Sequence, residues 1–279
     1  MTERIALVTG ANQGLGLALV EGLARTMEPD DVVYLAARTP EKGEQAARGL
    51  TGTRARVQVE RLDVTDDDSV ASLAATLQDR HGGVDIVISN AAARMSRDVP
   101  HSEQVRTFIA TNNHGTYRML KHFTPRLRDH ARFIIVASSF GSLTRLSPAL
   151  HHHFDVDSAS LEDIEALMDR YVELVEGGTA EDEGWPEWIN IPSKVAQVAS
   201  ARIAARMMQA SRPDAGILIN GACPGLVDTA ASRPWFDDMS GAQTPEEAAK
   251  AVVWLATLPP GTDGPNGELV RFKSVFPWK

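Results

Sequence analysis

Residues 5–24 read IALVTGANQGLGLALVEGLA. Five apolar or β-branched residues, Ile5–Thr9, run into Gly10 and a turn through Asn12 and Gln13 to Gly14, Leu15 and Gly16, after which apolar residues recur at helical spacing. Glycines at Gly-x-x-x-Gly-x-Gly spacing between a strand and a helix let the backbone turn sharply and approach a pyrophosphate. The free N–H groups and positive dipole end of the helix then meet the phosphate charge. The same glycines would serve an ordinary tight βα turn, but their place after the first strand of the chain favours the phosphate cradle.

Outward from this turn, apolar runs at Val32–Ala37, Val57–Leu62, Val84–Ser89, Phe133–Ala137 and Ile217–Asn220 alternate with helix-compatible stretches such as Leu15–Met27 and Ser69–His81. A closing helix, Thr244–Leu258, and a short strand, Glu268–Val270, end the chain. Such alternation builds right-handed βαβ units and predicts an α/β fold with a doubly wound parallel sheet of Rossmann type. A chain of 279 residues with 43% apolar side chains suits one such domain over 1–279. The stretch 141–189 is too long for a plain loop and is expected as an inserted helical lid. Within it Leu161, Ile164, Met168, Tyr171 and Val175 recur at helical spacing, with Ser160 as N-cap and Gly177-Gly178 as the stop.

Charge and cysteine exclude several classes. The net charge of −9 resides in residues 160–190, where ten acids face the single base Arg170. The rest of the chain balances, leaving no basic face for nucleic acid or an anionic membrane. A lone cysteine, Cys223, forms no internal disulfide, and no Cys/His spacing marks a metal site, so none is expected. With no apolar stretch of membrane-spanning length, a soluble cytoplasmic protein acting on a small molecule is expected.

The second strand ends in Ala37-Arg38 where a dinucleotide site normally places an acid against the adenosine ribose. A guanidinium pairs with a 2′-phosphate and gains nothing comparable from a bare hydroxyl, so NADPH/NADP+ is the expected cofactor. Asp63, beside Val64, is placed to accept from the adenine amino group, and Asn90-Ala91-Ala92 are small enough for the cofactor to lie against the sheet.

Together Thr9-Gly10-x-x-x-Gly14-x-Gly16, Asp63-Val64, Asn90-Ala91-Ala92, Thr111-Asn112-x-x-Gly115-Thr116, Ser138-Ser139, Lys194 and Pro224-Gly225 resemble the short-chain dehydrogenase/reductase family, in its carbonyl reductase branch. The resemblance implies an NADPH-dependent carbonyl reductase, monomeric because the insert covers the helix face through which other members oligomerise. It implies that Asn112 holds a water beside the lysine, that Ser139 donates to the substrate oxygen and that Lys194 binds the nicotinamide ribose. Pro224 and Gly225 would shape the ring pocket, Val227 would meet the carboxamide and Thr229 the diphosphate.

The sequence departs from the family at one position. Four residues before Lys194, where the family carries its catalytic tyrosine, stands Asn190. Hydride addition to a carbonyl creates an alkoxide that must be stabilised and protonated; a carboxamide can donate a hydrogen bond but is too weak an acid to protonate it. Asn190 also suits a plain helix start ahead of Pro192. Three readings follow. The first is a ketoreductase whose proton comes from the substrate, such as a phenolic polycyclic ketone of secondary metabolism, or from a water and Lys194 relay. The second is an enone reductase, whose enolate product needs hydrogen bonds more than a proton. The third is an inactive NADPH-binding sensor. His151-His152-His153 read as exposed residues of the insert and His114 as the filling of a helix interior. Trp185, Trp188, Trp235 and Phe236 suggest walls for a flat apolar substrate.

Overall fold

The computed structural model describes residues 3–279. Their strands are β1 (Ile5–Thr9), β2 (Val32–Ala37), β3 (Arg56–Arg61), β4 (Val84–Ser89), β5 (Leu127–Val136), β6 (Leu218–Cys223), β7 (Leu269–Arg271) and β8 (Ser274–Phe276). They form one sheet in the order β3-β2-β1-β4-β5-β6-β7-β8, parallel except for the last pair. The helices are α1 (Gly14–Thr26), α2 (Pro40–Arg48), α3 (Asp67–His81), α4 (His101–Ile109), α5 (Gly115–Phe123), α6 (Leu161–Glu176), α7 (Asn190–Ser211) and α8 (Pro245–Ala256). This is the doubly wound fold expected.

Alternation along β1 shows how the layers form. Ile5 and Leu7 face the side covered by α3, α5 and α7, whereas Ala6 and Val8 face α1 and α8. Because the chain reverses its winding between β1 and β4, a crevice opens at the carboxyl ends of these strands, where the glycine turn lies.

Most strand ends fall within a residue of expectation, and the larger departures are in β5, β6 and β8. Strand β5 begins at Leu127, six residues early, because Arg128-Asp129-His130-Ala131-Arg132 give no apolar signal. Arg132 is nevertheless fully buried, its guanidinium donating to the carbonyls of His130, Gly216 and Pro259. Strand β6 runs on to Cys223 rather than stopping at Asn220, and β8 was not foreseen; it returns as an antiparallel edge after a tight turn at Phe272-Lys273.

The insert is ordered as expected but lies elsewhere. Helix α6 has the capping box of Ser160 and Asp163, and its apolar stripe packs on α4 and α7. It buttresses the flank of the domain rather than closing over the crevice, so the expectation of a lid over 141–189 is corrected to a side clamp whose end alone, at Trp188, reaches the crevice. Among the described residues no helix is long and apolar enough to cross a membrane.

Candidate active site

The turn after β1 is held from the side by Asn90. Its Nδ2 donates to the Thr9 carbonyl at 2.9 Å, and the Thr9 hydroxyl accepts from the Asn90 and Ala91 amides, each at 2.9 Å. Gly16 sits so close beneath this bridge that a Cβ there would lie 2.5 Å from the Gly10 carbonyl oxygen. The turn therefore stays thin, and the amide ends of Gly14, Leu15 and Gly16 open α1 toward the crevice. Asn12, half-buried, and Gln13, exposed, form the shoulder of the turn.

At the end of β2, Arg38 is exposed and, among the described residues, its guanidinium forms no salt bridge, the charge of Asp63 reaching it only at longer range. Asp63 follows β3, where it accepts from the Thr65 amide at 3.0 Å and hydroxyl at 2.7 Å. Partial burial raises its pKa, but the Thr65 bonds and the Arg38 and Arg61 charges outweigh this and hold the carboxyl below its ordinary value. Val64 is buried against Gly115, so it supports the wall rather than facing the crevice.

At the other end the crevice deepens into a cavity of about 410 Å³. Ser139, Asn190 and Lys194 all line it, as does Asn112. Ser139 reaches α7 because Gly141, one turn on, lies against the Lys194 backbone carbonyl; a Cβ on it would come within 2.9 Å. The neighbouring Ser138 hydroxyl is engaged as an N-cap, accepting from the Phe140 amide, whereas the side chains of Ser139 and Asn190 have no partner among the described residues. Asn190 is the first residue of α7, with Ile189 as the cap.

Asn112 lies in a π-helical turn, Ala110–His114, between α4 and α5. Its side-chain oxygen accepts from the Ala93 amide at 2.8 Å, and its backbone carbonyl accepts from Thr116 at 2.6 Å and from the Gln197 amide at 2.9 Å. Gln197 also accepts from the Lys194 ammonium at 2.7 Å, and the Val136 carbonyl accepts a second Lys194 proton at 3.1 Å. Burial pulls the Lys194 pKa down to about 8.

The cavity wall is aromatic. Phe140 meets Trp188 edge to face at 4.8 Å, and Trp188 stands 6.1 Å from Trp235, with Phe236 beside it. Trp185 does not take part: it is buried 4.8 Å from Tyr171, an anchor for α6. Arg94 and Arg271 add positive charge, and no residue lining the cavity is an acid. Gly225, Val227 and Thr229 line the cavity floor, while Pro224 stands behind it, its carbonyl accepting from Gln243 at 2.9 Å. Ala92 lines the mouth; Ala91 packs behind, against Gly10.

None of the chain's tyrosines lines the cavity. Tyr34 pairs with His81, Tyr117 with Glu162, and Tyr171 is buried in the insert. Nor do His151, His152 and His153, which point to carbonyls within the insert or stack on Trp185. His114 departs from expectation. Instead of filling a helix interior it reaches out to α6, within 2.6 Å of Glu165 and 3.1 Å of Asp169. Sequence reasoning also missed Gln197, Phe140, Arg94 and Arg271. Gln197 could have been found, because i, i+3 spacing on a helix puts it one turn beyond Lys194 on the same face.

Comparison with known proteins bears on this geometry. The family model described as short chain dehydrogenase matches residues 4–150. Carbonyl reductase [NADPH] 1 of Mus musculus is 34% identical over 281 residues, covering 98% of both chains. Carbonyl reductase [NADPH] 3 of Rattus norvegicus is also 34% identical and covers 99% of both. Among solved structures, salutaridine reductase from Papaver somniferum superimposes with a TM-score of 0.80 at 26% identity, covering 96% of this chain and 99% of that one.

Proposed function

The chain belongs to the short-chain dehydrogenase family, and from that premise we propose that it is an NADPH-dependent ketoreductase for a bulky aromatic ketone bearing a hydroxyl beside its carbonyl. The fit to the cofactor rests on the turn that a Cβ at Gly16 would fill, on the amide ends opening α1 and on the unpaired cation of Arg38. Gly10, Gly14, Leu15 and Gly16 would hold the diphosphate with Thr229 opposite, Arg38 the 2′-phosphate, Asp63 the adenine, Lys194 the ribose, and Gly225 and Val227 the nicotinamide. Bound there, NADPH supplies the hydride.

The residues around the cavity then have a defined task. Ser139 and Asn190, both with unengaged donors, hold the substrate oxygen as it takes up negative charge. Neither gives up a proton at neutral pH. The observation that carries the proposal is that no tyrosine, histidine or carboxylic acid lines the cavity. A hydroxyl beside the ketone fills this gap: its internal hydrogen bond polarises the carbonyl, and its proton passes to the new alkoxide. The aromatic wall of Phe140, Trp188 and Trp235 suits a flat polycyclic substrate of this kind. The α4 flank, covered by α6, suits a monomer, which light scattering would check.

The test is NADPH oxidation, followed by absorbance, on aryl ketones with and without the neighbouring hydroxyl. Turnover confined to the hydroxyl-bearing members is expected, and equal rates on both sets would refute the proposal. The paired free donors of Ser139 and Asn190 also favour a second reading, reduction of a conjugated C=C bond to an enolate. NMR of the product distinguishes the two.

A further inference from the structure

The ammonium of Lys194 has three protons to donate. One goes to the Val136 carbonyl and one to the Gln197 side-chain oxygen, which leaves a single donor for the crevice. Gln197 is 2% exposed, and its Nε2 donates to the Asn112 carbonyl at 2.9 Å and the Thr116 hydroxyl at 3.0 Å. The amide can sit in only one sense, because the reverse would set its NH2 against the ammonium and its oxygen against the carbonyl. The Asn112 carbonyl is in turn saturated, since Thr116 donates to it as well.

The resemblance to the family implies a water between this asparagine and this lysine, a molecule that both accepts and donates and so can pass protons. Here the two groups are joined by direct hydrogen bonds through one carboxamide. An amide gives and takes hydrogen bonds but exchanges no proton along them at neutral pH. We propose that Gln197 seals the interior side of Lys194, making the lysine a fixed hydrogen-bond donor and leaving the crevice as the route by which the product oxygen receives its proton.

The inference rests on the ketoreductase reading and deepens it. Hydride adds to the carbonyl carbon, the C=O π pair moves to oxygen, and the neighbouring substrate hydroxyl breaks its O–H bond as the alkoxide forms one. The phenolate so left recovers a proton from solvent at the crevice mouth. No proton crosses Lys194. Asn190 and Gln197 thus belong together: with no tyrosine to be recharged, a relay behind the lysine has no work.

The pair can be tested by coupling. Asn190→Tyr restores a phenol, and a second change at Gln197 decides whether that phenol is recharged from inside. Gln197→Ala makes room for a solvent molecule with three polar partners, the Asn112 carbonyl, the Thr116 hydroxyl and the Lys194 ammonium, whereas Gln197→Leu fills the space with carbon. On a hydroxyaryl ketone blocked as its methyl ether, Asn190→Tyr/Gln197→Ala is expected to turn over roughly ten-fold or more faster than Asn190→Tyr alone. Asn190→Tyr/Gln197→Leu should show no gain. If Ala and Leu lower the rate alike, Gln197 is only a packing residue and the proposal fails.

A binding measurement keeps the question open to refutation should the double variants not fold. The titratable group facing Lys194 is Cys223 on β6, and no carboxylate lines the cavity beside it. Removing the Gln197 oxygen withdraws an acceptor that favours the charged lysine. The pH above which NADPH affinity falls, read by NADPH fluorescence, should therefore be lower in Gln197→Leu than in the unmodified protein. Coincident curves would overturn the bridge. If the unmodified protein binds NADPH yet reduces no ketone, the ketoreductase reading fails, while this titration still reports on Gln197.

Discussion

Replacing Gly16 by alanine tests the phosphate cradle directly. The added Cβ would lie 2.5 Å from the Gly10 carbonyl oxygen, 2.6 Å from Asn90 Nδ2 and 2.9 Å from the Ala11 Cα, all far inside normal contact. Two of these atoms are backbone, so the first turn of α1 must withdraw. Overpacking of this kind costs about 1–3 kcal/mol, and pushing Asn90 off the Thr9 carbonyl costs about 1 kcal/mol more. Better helix propensity returns about 1 kcal/mol, for a net loss of about 1–3 kcal/mol. At about 2–4 °C per kcal/mol for a domain of this size, the melting temperature should fall by roughly 2–12 °C. The decisive readout is the rise in melting temperature on adding NADPH, measured by differential scanning fluorimetry. A ligand at a hundred times its Kd adds about 2.7 kcal/mol, and this rise should vanish once the α1 amides have moved. Gly241→Ala, where a Cβ meets nothing within 4 Å, is the control. A Gly16→Ala protein that keeps the full NADPH-dependent rise would refute the cradle, whatever its intrinsic stability.

Other parts of the site give sharper single outcomes. Arg38→Glu should weaken NADPH about ten- to a hundred-fold, the worth of a charge-assisted contact of about 1.5–3 kcal/mol, and NADH much less. Equal losses for both, read by fluorescence titration, would remove Arg38 from the 2′-phosphate site. Trp188→Ala should raise KM for an aryl ketone about ten-fold through lost aromatic contact, with NADPH affinity retained. At His114, burial disfavours the imidazolium, but Glu165 and Asp169 outweigh it and raise the pKa. A raised folded-state pKa stabilises below the unfolded value near 6.5 and is lost as pH rises through the folded one. Thermal melts of the unmodified protein and His114→Gln should therefore diverge at pH 6 and converge well above neutrality; a gap constant with pH would deny the ion pair.

What the sequence made legible is what local patterning controls. The turn of Gly10, Gly14 and Gly16 and strands β1, β2 and β4 could be read to the residue, because a buried parallel strand is a continuous apolar run bounded by turns. Ser160 as the N-cap of α6 was equally plain. The start of β5 was hidden because the buried Arg132 donates to the carbonyls of Gly216 and Pro259, two distant places that no window on the chain contains. The placement of α6 was hidden for the same reason: its apolar stripe says that it packs, not that it packs on α4 and α7. At the site, Ser139, Asn190 and Lys194 follow from the resemblance to the family's motif, but the separation of Trp185 from Trp188 is a matter of which way two nearby rings turn. Gln197 stood in view one helical turn from Lys194, but its amide finds its acceptors in the π turn at Asn112 and on α5 at Thr116, which no local pattern shows.

The charge of the cavity carries the argument about the proton one step further. Arg94, Lys194 and Arg271 line it without a carboxylate, in a protein whose net charge is −9. Cations at close range favour the ionised form of a substrate phenol and lower its pKa on binding. If the phenol supplies the proton, its protonated form is the reactive one, and the rate must fall as pH rises through the bound phenol's pKa. Electron-withdrawing substituents on the phenol ring would then move this basic limb to lower pH, substrate by substrate. An enzyme-borne donor predicts the opposite pattern: a limb common to all substrates, near pH 8 if Lys194 sets it. Rate profiles for hydroxyaryl ketones whose free phenols ionise well below that value separate the two, and a limb that ignores the substituent would end the case for substrate-supplied protonation.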